Sequence, residues 1–199
     1  MANLTITAKT ANPPENSKTQ ALVALLPDRK TLAASLKPLD KLLGGTISRS
    51  LKNGDFSGSL GTHIWLPGAG KVERVLLVGC GDLGKQTASA AKKISEALAR
   101  SLVNSSASDA HIVTEGLSQK LKTPQTLLEQ ISLQLTLTHY QYNHTLNKRK
   151  KPSRSLKRVS ISPGGLCSTG VARRAVLAGT ATGQGANLTR ELVNLPGNI

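Results

Sequence analysis

Gly79, Gly81, Gly84 and Lys85 close the stretch RVLLVGCGDLGK, and their spacing matches two phosphate-binding patterns at once. Read as G-x-G-x-x-G, the glycines would let backbone approach a pyrophosphate at a helix N-terminus. Read as G-x-x-x-x-G-K, the lysine would reach the outer phosphates of a nucleotide. Each pattern lacks a part. The acid that should follow the glycines by about 20 residues is missing; Asn104 stands there, and the nearest acids are Asp109 and Glu115. Gln86 follows Lys85 where a hydroxyl would hold magnesium, and a long segment precedes a strand that normally opens its domain. A tight strand-to-helix turn explains the same residues without a nucleotide.

Other residue types give less. His139 and His144 lie five apart, about 140° around a helix, so they do not converge on one ion. His63 and His111 have no histidine at ligand spacing. Cys80 and Cys167 form no C-x-x-C pair and read as two reduced thiols. No serine sits in a G-x-S-x-G turn. The basic run is stronger: Lys148, Arg149, Lys150, Lys151, Arg154, Lys157 and Arg158 crowd beside Pro152. Such a run is either a solvated loop or a salt-sensitive contact for nucleic acid. Most such runs are solvated loops; with only Phe56, Trp65, Tyr140 and Tyr142 as aromatics, base stacking on single strands is disfavoured, which leaves nonspecific DNA duplex binding as a secondary activity.

The charge is regional. The 199 residues carry a net +15; residues 130–199 hold ten basic residues against Glu191 alone, whereas residues 1–129 hold 16 against ten acids. This field favours polyanions or acidic partners. No stretch approaches the roughly 18 uncharged apolar residues of a membrane span, and the N-terminus has no secretion signal, so a soluble cytoplasmic protein is expected.

The elements that must position these residues alternate. LTITA and QALVALL read as strands; TLAASLKPLDKLLGG places leucines at helical spacing, with Pro38 kinking or restarting the helix and Gly44 and Gly45 stopping it. A short strand at His63–Leu66 precedes RVLLVG, whose consecutive apolar residues suit a strand covered on both faces. A long helix with Ala90, Ile94, Ala97 and Leu98 follows. Next come the strand AHIVT, a helix over about residues 123–142 carrying Leu127, Leu128, Ile131 and Leu135, and the strand LKRVSIS. The last helix, from Val171 to about Val193, presents Val176, Leu177, Leu188 and Leu192, and Gly179, Gly183 and Gly185 should weaken its middle by about 1 kcal/mol each relative to Ala. Strands alternating with helices imply a three-layer α/β domain.

Taken in order, NGDFSGSLGTHIWLPG, ERVLLVGCGDLGK and ANLTRELVNLPGNI resemble the N-terminal domain of the leucyl aminopeptidase (cytosol aminopeptidase) family. Residues 53–61, 73–81 and 187–199 carry the likeness. It implies a macro-domain-like mixed sheet with helices on both faces over residues 1–165. Residues 166–199 would be a linker helix towards a catalytic domain. It also implies that the glycine loop is the family's structural turn.

Family enzymes are two-metal exopeptidases, in which paired divalent ions, Mn or Zn, activate water and clamp the developing oxyanion. Their ligands lie in segments resembling V-G-K-G-x-T-F-D-S-G-G and N-T-D-A-E-G-R-L, and neither occurs in these residues. The resemblance therefore assigns no catalytic, cofactor or metal residue here, and implies a chain that stops before the catalytic half. It implies a role in assembly, active-site access or external contacts, within a homo-hexamer built around the catalytic domains. The alternative is a free-standing basic module for nucleic acid or an ADP-ribose-like ligand. The segment Val171–Ile199 should be poorly ordered alone, its apolar stripe waiting for a partner.

Overall fold

The computed structural model describes residues 4–10, 13–117, 121, 123–142 and 156–195. Their strands form one six-stranded sheet. β1 (Thr5–Ala8) and β2 (Thr19–Leu26) come first, then the short helices α1 (Lys37–Leu42) and α2 (Thr46–Asn53). β3 (His63–Pro67), β4 (Val72–Gly79), α3 (Ala88–Val103), β5 (Asp109–Val113), α4 (Pro124–His139), β6 (Arg158–Ser162) and α5 (Thr169–Asn194) follow. The strand order is β1-β6-β5-β2-β4-β3, parallel throughout except for β3, which runs antiparallel to β4 at one edge. This is the mixed three-layer α/β sheet that the alternation of elements implies.

The two central strands are apolar on both sides because both sides are covered. In β2 and β4, Val23, Leu25, Leu76 and Val78 pack toward α3, α4 and α5, whose Ile94, Leu98, Leu128, Ile131 and Val176 close that core. Leu22, Leu26, Val75 and Leu77 face the other way, onto Leu39, Ile47 and Leu51 of α1 and α2 and onto Phe56. Burying such a side chain contributes about 1.5–3 kcal/mol. The strands' consecutive apolar residues are therefore the cause of the layering.

Local signals set the helix ends. Pro38 opens α1 rather than kinking a longer helix, because its missing N–H is one of the donors a first turn leaves unpaired. Gly44 and Gly45 take positive φ, at 65° and 77°, and turn the chain into α2. The Asp40 carboxylate then accepts from the backbone N–H groups of Ile47 and Ser48 at 2.9 and 3.2 Å, holding the two helices at a fixed angle. Thr87 and Ser168 cap α3 and α5 in the same manner.

The last helix departs from expectation. It is helical through Asn194 and docked along α4, with Ala172, Val176, Gly179, Gly183 and Glu191 buried on one face. Gly179 and Gly183 let the two helices approach closely. A methyl group on Gly179 would lie 2.1 Å from the Glu129 carbonyl oxygen, and one on Gly183 would lie 2.7 Å from Thr136 Cβ. The glycines read as weak points in the helix are its packing surface. The unpacked segment expected from Val171 onward is instead a layer of the domain through Leu195, with residues 196–199 outside the described residues.

Candidate functional site

The glycine loop is spent on the fold. Gly79 N–H donates to Thr62 O at 2.8 Å, Cys80 N–H to Leu26 O at 2.8 Å and Gly81 N–H to Gly58 O at 2.9 Å. Gly84 N–H donates to the Asp82 carboxylate at 2.9 Å, and Lys85 N–H to Asp82 O at 3.1 Å. The amides of Gly79, Cys80, Gly81, Gly84 and Lys85 therefore have partners in the chain, that of Gly84 in the Asp82 carboxylate. Glycine is required at 79 because a methyl there would lie 2.1 Å from Ser59 O, and at 81 because φ is 65°. The loop locks β4 onto the Gly58–Thr62 segment. A short 3-10 turn, Leu83–Lys85, separates it from α3, which begins at Ala88.

His139, His111 and Cys80 are tied into the fold. His139 is buried, with Nε2 within 2.8 Å of Leu156 O, which ties α4 to the entry of β6. His111 Nδ1 lies 2.6 Å from Ser160 Oγ, and burial together with nearby Lys9 lowers its pKa to about 4. His63 is exposed on β3 and His144 lies outside the described residues. Burial pushes the Cys80 thiol up to about 12. Among the described residues, no three His, Cys, Asp or Glu side chains gather as a metal would require. A pair of divalent ions therefore has no fit among them.

Of the basic run, Lys148, Arg149, Lys150, Lys151 and Arg154 lie outside the described residues, whereas Lys157 and Arg158 are exposed at the start of β6. The four aromatics serve the fold. Phe56 is buried, and Trp65 donates from Nε1 to Ser101 Oγ at 2.9 Å with the Arg74 guanidinium 5.2 Å from its ring centre. Tyr140 donates to the Glu191 carboxylate at 2.6 Å and Tyr142 to Asn194 O at 2.7 Å. The Glu191 bond also raises the Tyr140 pKa. None of these rings is positioned as a stacking platform.

The face of α5 turned away from α4 is open, and it carries three leucines among Arg174, Ala181, Gln184 and Gly185. Leu177, Leu188 and Leu192 are 70%, 60% and 61% exposed. Their spacings of eleven and four place them within about 60° of one another on the helix. Val193, 78% exposed, lies about 100° further round the helix and off this stripe. Sequence periodicity had grouped three of these residues with Val176; the structure separates them, burying Val176 and leaving the leucines on the surface. Among the described residues, no helix is long and apolar enough to cross a membrane.

Comparison with known proteins gives the same frame. Residues 22–149 match the model of the cytosol aminopeptidase family, N-terminal domain. The chain is 33% identical over 191 residues to a probable cytosol aminopeptidase of Thioalkalivibrio sulfidiphilus, covering 94% of this chain and 38% of the relative. It is 31% identical over 196 residues to the Nitrosococcus oceani counterpart, again covering 38% of the relative. Among solved structures, a mutant tomato leucine aminopeptidase superposes with a TM-score of 0.76 at 22% identity, covering 98% of this chain and 39% of that one. The bottromycin maturation enzyme BotP, in complex with Mn, superposes with a TM-score of 0.61 at 18% identity, covering 89% of this chain and 32% of its own. The chain thus spans about two fifths of the length of the relatives it matches, and it belongs to the cytosol aminopeptidase family, whose N-terminal domain it carries.

Proposed function

We propose that this chain serves as the noncatalytic N-terminal domain of a leucyl-aminopeptidase-like exopeptidase, which removes N-terminal residues from peptides. Its work is structural: assembly, control of access to the active site, or contacts at the outside of a homo-hexamer. The observation that carries this reading is the Leu177, Leu188 and Leu192 stripe. Three leucines more than half exposed on one helix face cost solubility unless another protein surface covers them. A helix anchored to its own domain by glycines on one side and carrying exposed leucines on the other is suited to hold two domains together. The partner is the catalytic domain, which brings the two divalent ions, Mn or Zn, with their ligands. A cytoplasmic location fits the relatives' description as cytosol aminopeptidases.

Co-expression with the catalytic portion of the Thioalkalivibrio sulfidiphilus relative tests this directly. The expected result is one co-eluting assembly of high mass. Elution of this chain apart from that portion, with no shift in either profile, contradicts it.

A second reading rests on the basic residues. Lys157 and Arg158, exposed beside the run Lys148–Arg154, support nonspecific contact with a DNA duplex as a secondary activity. Duplex affinity that falls steeply between low and physiological salt supports it, and affinity flat with salt removes it.

A further inference from the structure

Among the described residues, no helix lies over one face of the β1-β6-β5 half of the sheet. α1 and α2 cover β2 and β4, whereas β1, β6 and β5 turn two rows of polar side chains to the open side. The register aligns Thr5, Arg158 and Asp109 in one row and Thr7, Ser160 and His111 in the next. The Asn16–Thr19 approach to β2 rises beside them as a wall, and Lys9 stands at the far end of β1. Together they line a half-open cavity of about 510 Å³. That lies within the range of small-ligand pockets.

The chemistry of the lining is selective. Lys9, Lys18 and Arg158 bring three positive charges, and among the described residues none has an acidic partner within 4 Å. Asp109 is the one carboxylate, held at Oδ2 by the Thr19 hydroxyl at 2.8 Å. Hydroxyls of Thr5, Thr7, Thr10, Ser17 and Ser160 supply donors and acceptors. Below them, His111 Nε2 is buried without a hydrogen-bond partner, which in a folded protein marks a place that a ligand or ordered water completes. Apart from that imidazole the lining contains no aromatic ring, so nothing there would stack on a base.

We propose that this pocket binds a small phosphorylated polyol, of the chemical class of sugar phosphates. The cations take the phosphate, as unpaired lysine and arginine at a concave site do. Asp109 and the threonine and serine hydroxyls take the sugar hydroxyls. A flat solvated strand face would account for the alternating threonines, but not for three unpaired cations around a walled cavity. The shape disfavours a nucleic-acid backbone, which needs a groove open along its length.

Calorimetric titration of the 199-residue chain with ribose 5-phosphate, glucose 6-phosphate and glycerol 3-phosphate tests the assignment. At least one should bind at a single site, with the matching unphosphorylated polyol at least about tenfold weaker. Arg158→Gln and Lys9→Gln, both at exposed positions, should each weaken binding about tenfold while leaving the melting temperature unchanged. Silence from all three phosphates at millimolar concentration overturns the proposal. So does binding that both variants leave intact, or binding that a short DNA duplex abolishes by competition at equal phosphate concentration.

Discussion

Gly179 of α5 rests against the backbone of Glu129 in α4, so closely that a methyl group in place of its hydrogen would sit 2.1 Å from the Glu129 carbonyl oxygen. Backbone cannot yield as a side-chain end can, so Gly179→Ala should separate the helices and destabilise the fold by about 1–3 kcal/mol. Gly185, on the same helix with nothing within 4 Å, provides the control. There Gly→Ala should stabilise by about 0.5–1 kcal/mol through helix propensity alone. Urea denaturation of both variants reads the two opposite signs, and equal signs would contradict the packing described.

The glycine turn gives a second prediction. Gly79→Ala should lower the melting temperature markedly, since the added methyl meets the Ser59 carbonyl oxygen. Adding ATP or NAD should leave the melting temperature of the unmodified chain where it was, because the amides of Gly79, Cys80 and Gly81 are bonded to backbone carbonyls and that of Gly84 to the Asp82 carboxylate. A nucleotide-dependent rise lost in Gly81→Val would reverse this account of the turn.

The exposed leucines separate stability from association. Leu188→Glu with Leu192→Glu should change the stability of this chain by less than about 0.5 kcal/mol per site, yet abolish co-elution with a catalytic portion. If instead the double variant unfolds, the stripe belongs to this domain's own core.

Cys80 makes the pH dependence specific. Burial raises its folded pKa from 9.0 to about 12, so the folded chain keeps a proton that the unfolded chain releases. Its contribution is therefore present below pH 9 and is lost as pH rises toward 12, at about 1.4 kcal/mol per pH unit. His111 acts at the other end. Its folded pKa of about 4 lies below 6.5, so stability falls as pH drops from 6.5 toward 4 and the unfolded chain takes up the proton first. Urea midpoints across pH should show both flanks, with Cys80→Ala flattening the alkaline one and His111→Gln the acidic one.

The sequence showed its elements more clearly than their neighbours. Runs such as Val75–Val78 declare a strand covered on both faces, and Pro38 with Gly44 and Gly45 declares the α1–α2 corner, because these signals are local. Gly179 and Gly183 were legible only as poor helix formers, since their use depends on α4, some fifty residues away in the chain. The same limit hid the polar pocket. Thr5, Asp109 and Arg158 are unremarkable along the chain and become one row only through the β1-β6-β5 order. The likeness of the three quoted segments to the family did what propensity could not, by assigning the glycine loop to a turn before any contact was known.

Under the proposed function, peptide hydrolysis needs a domain other than the one these residues form. Release of leucine from a leucyl anilide in the presence of manganese measures it. The purified chain alone should give no release above buffer, before or after incubation with the metal. Leucine released by this chain alone, in proportion to its concentration and abolished by a chelator, would contradict the account.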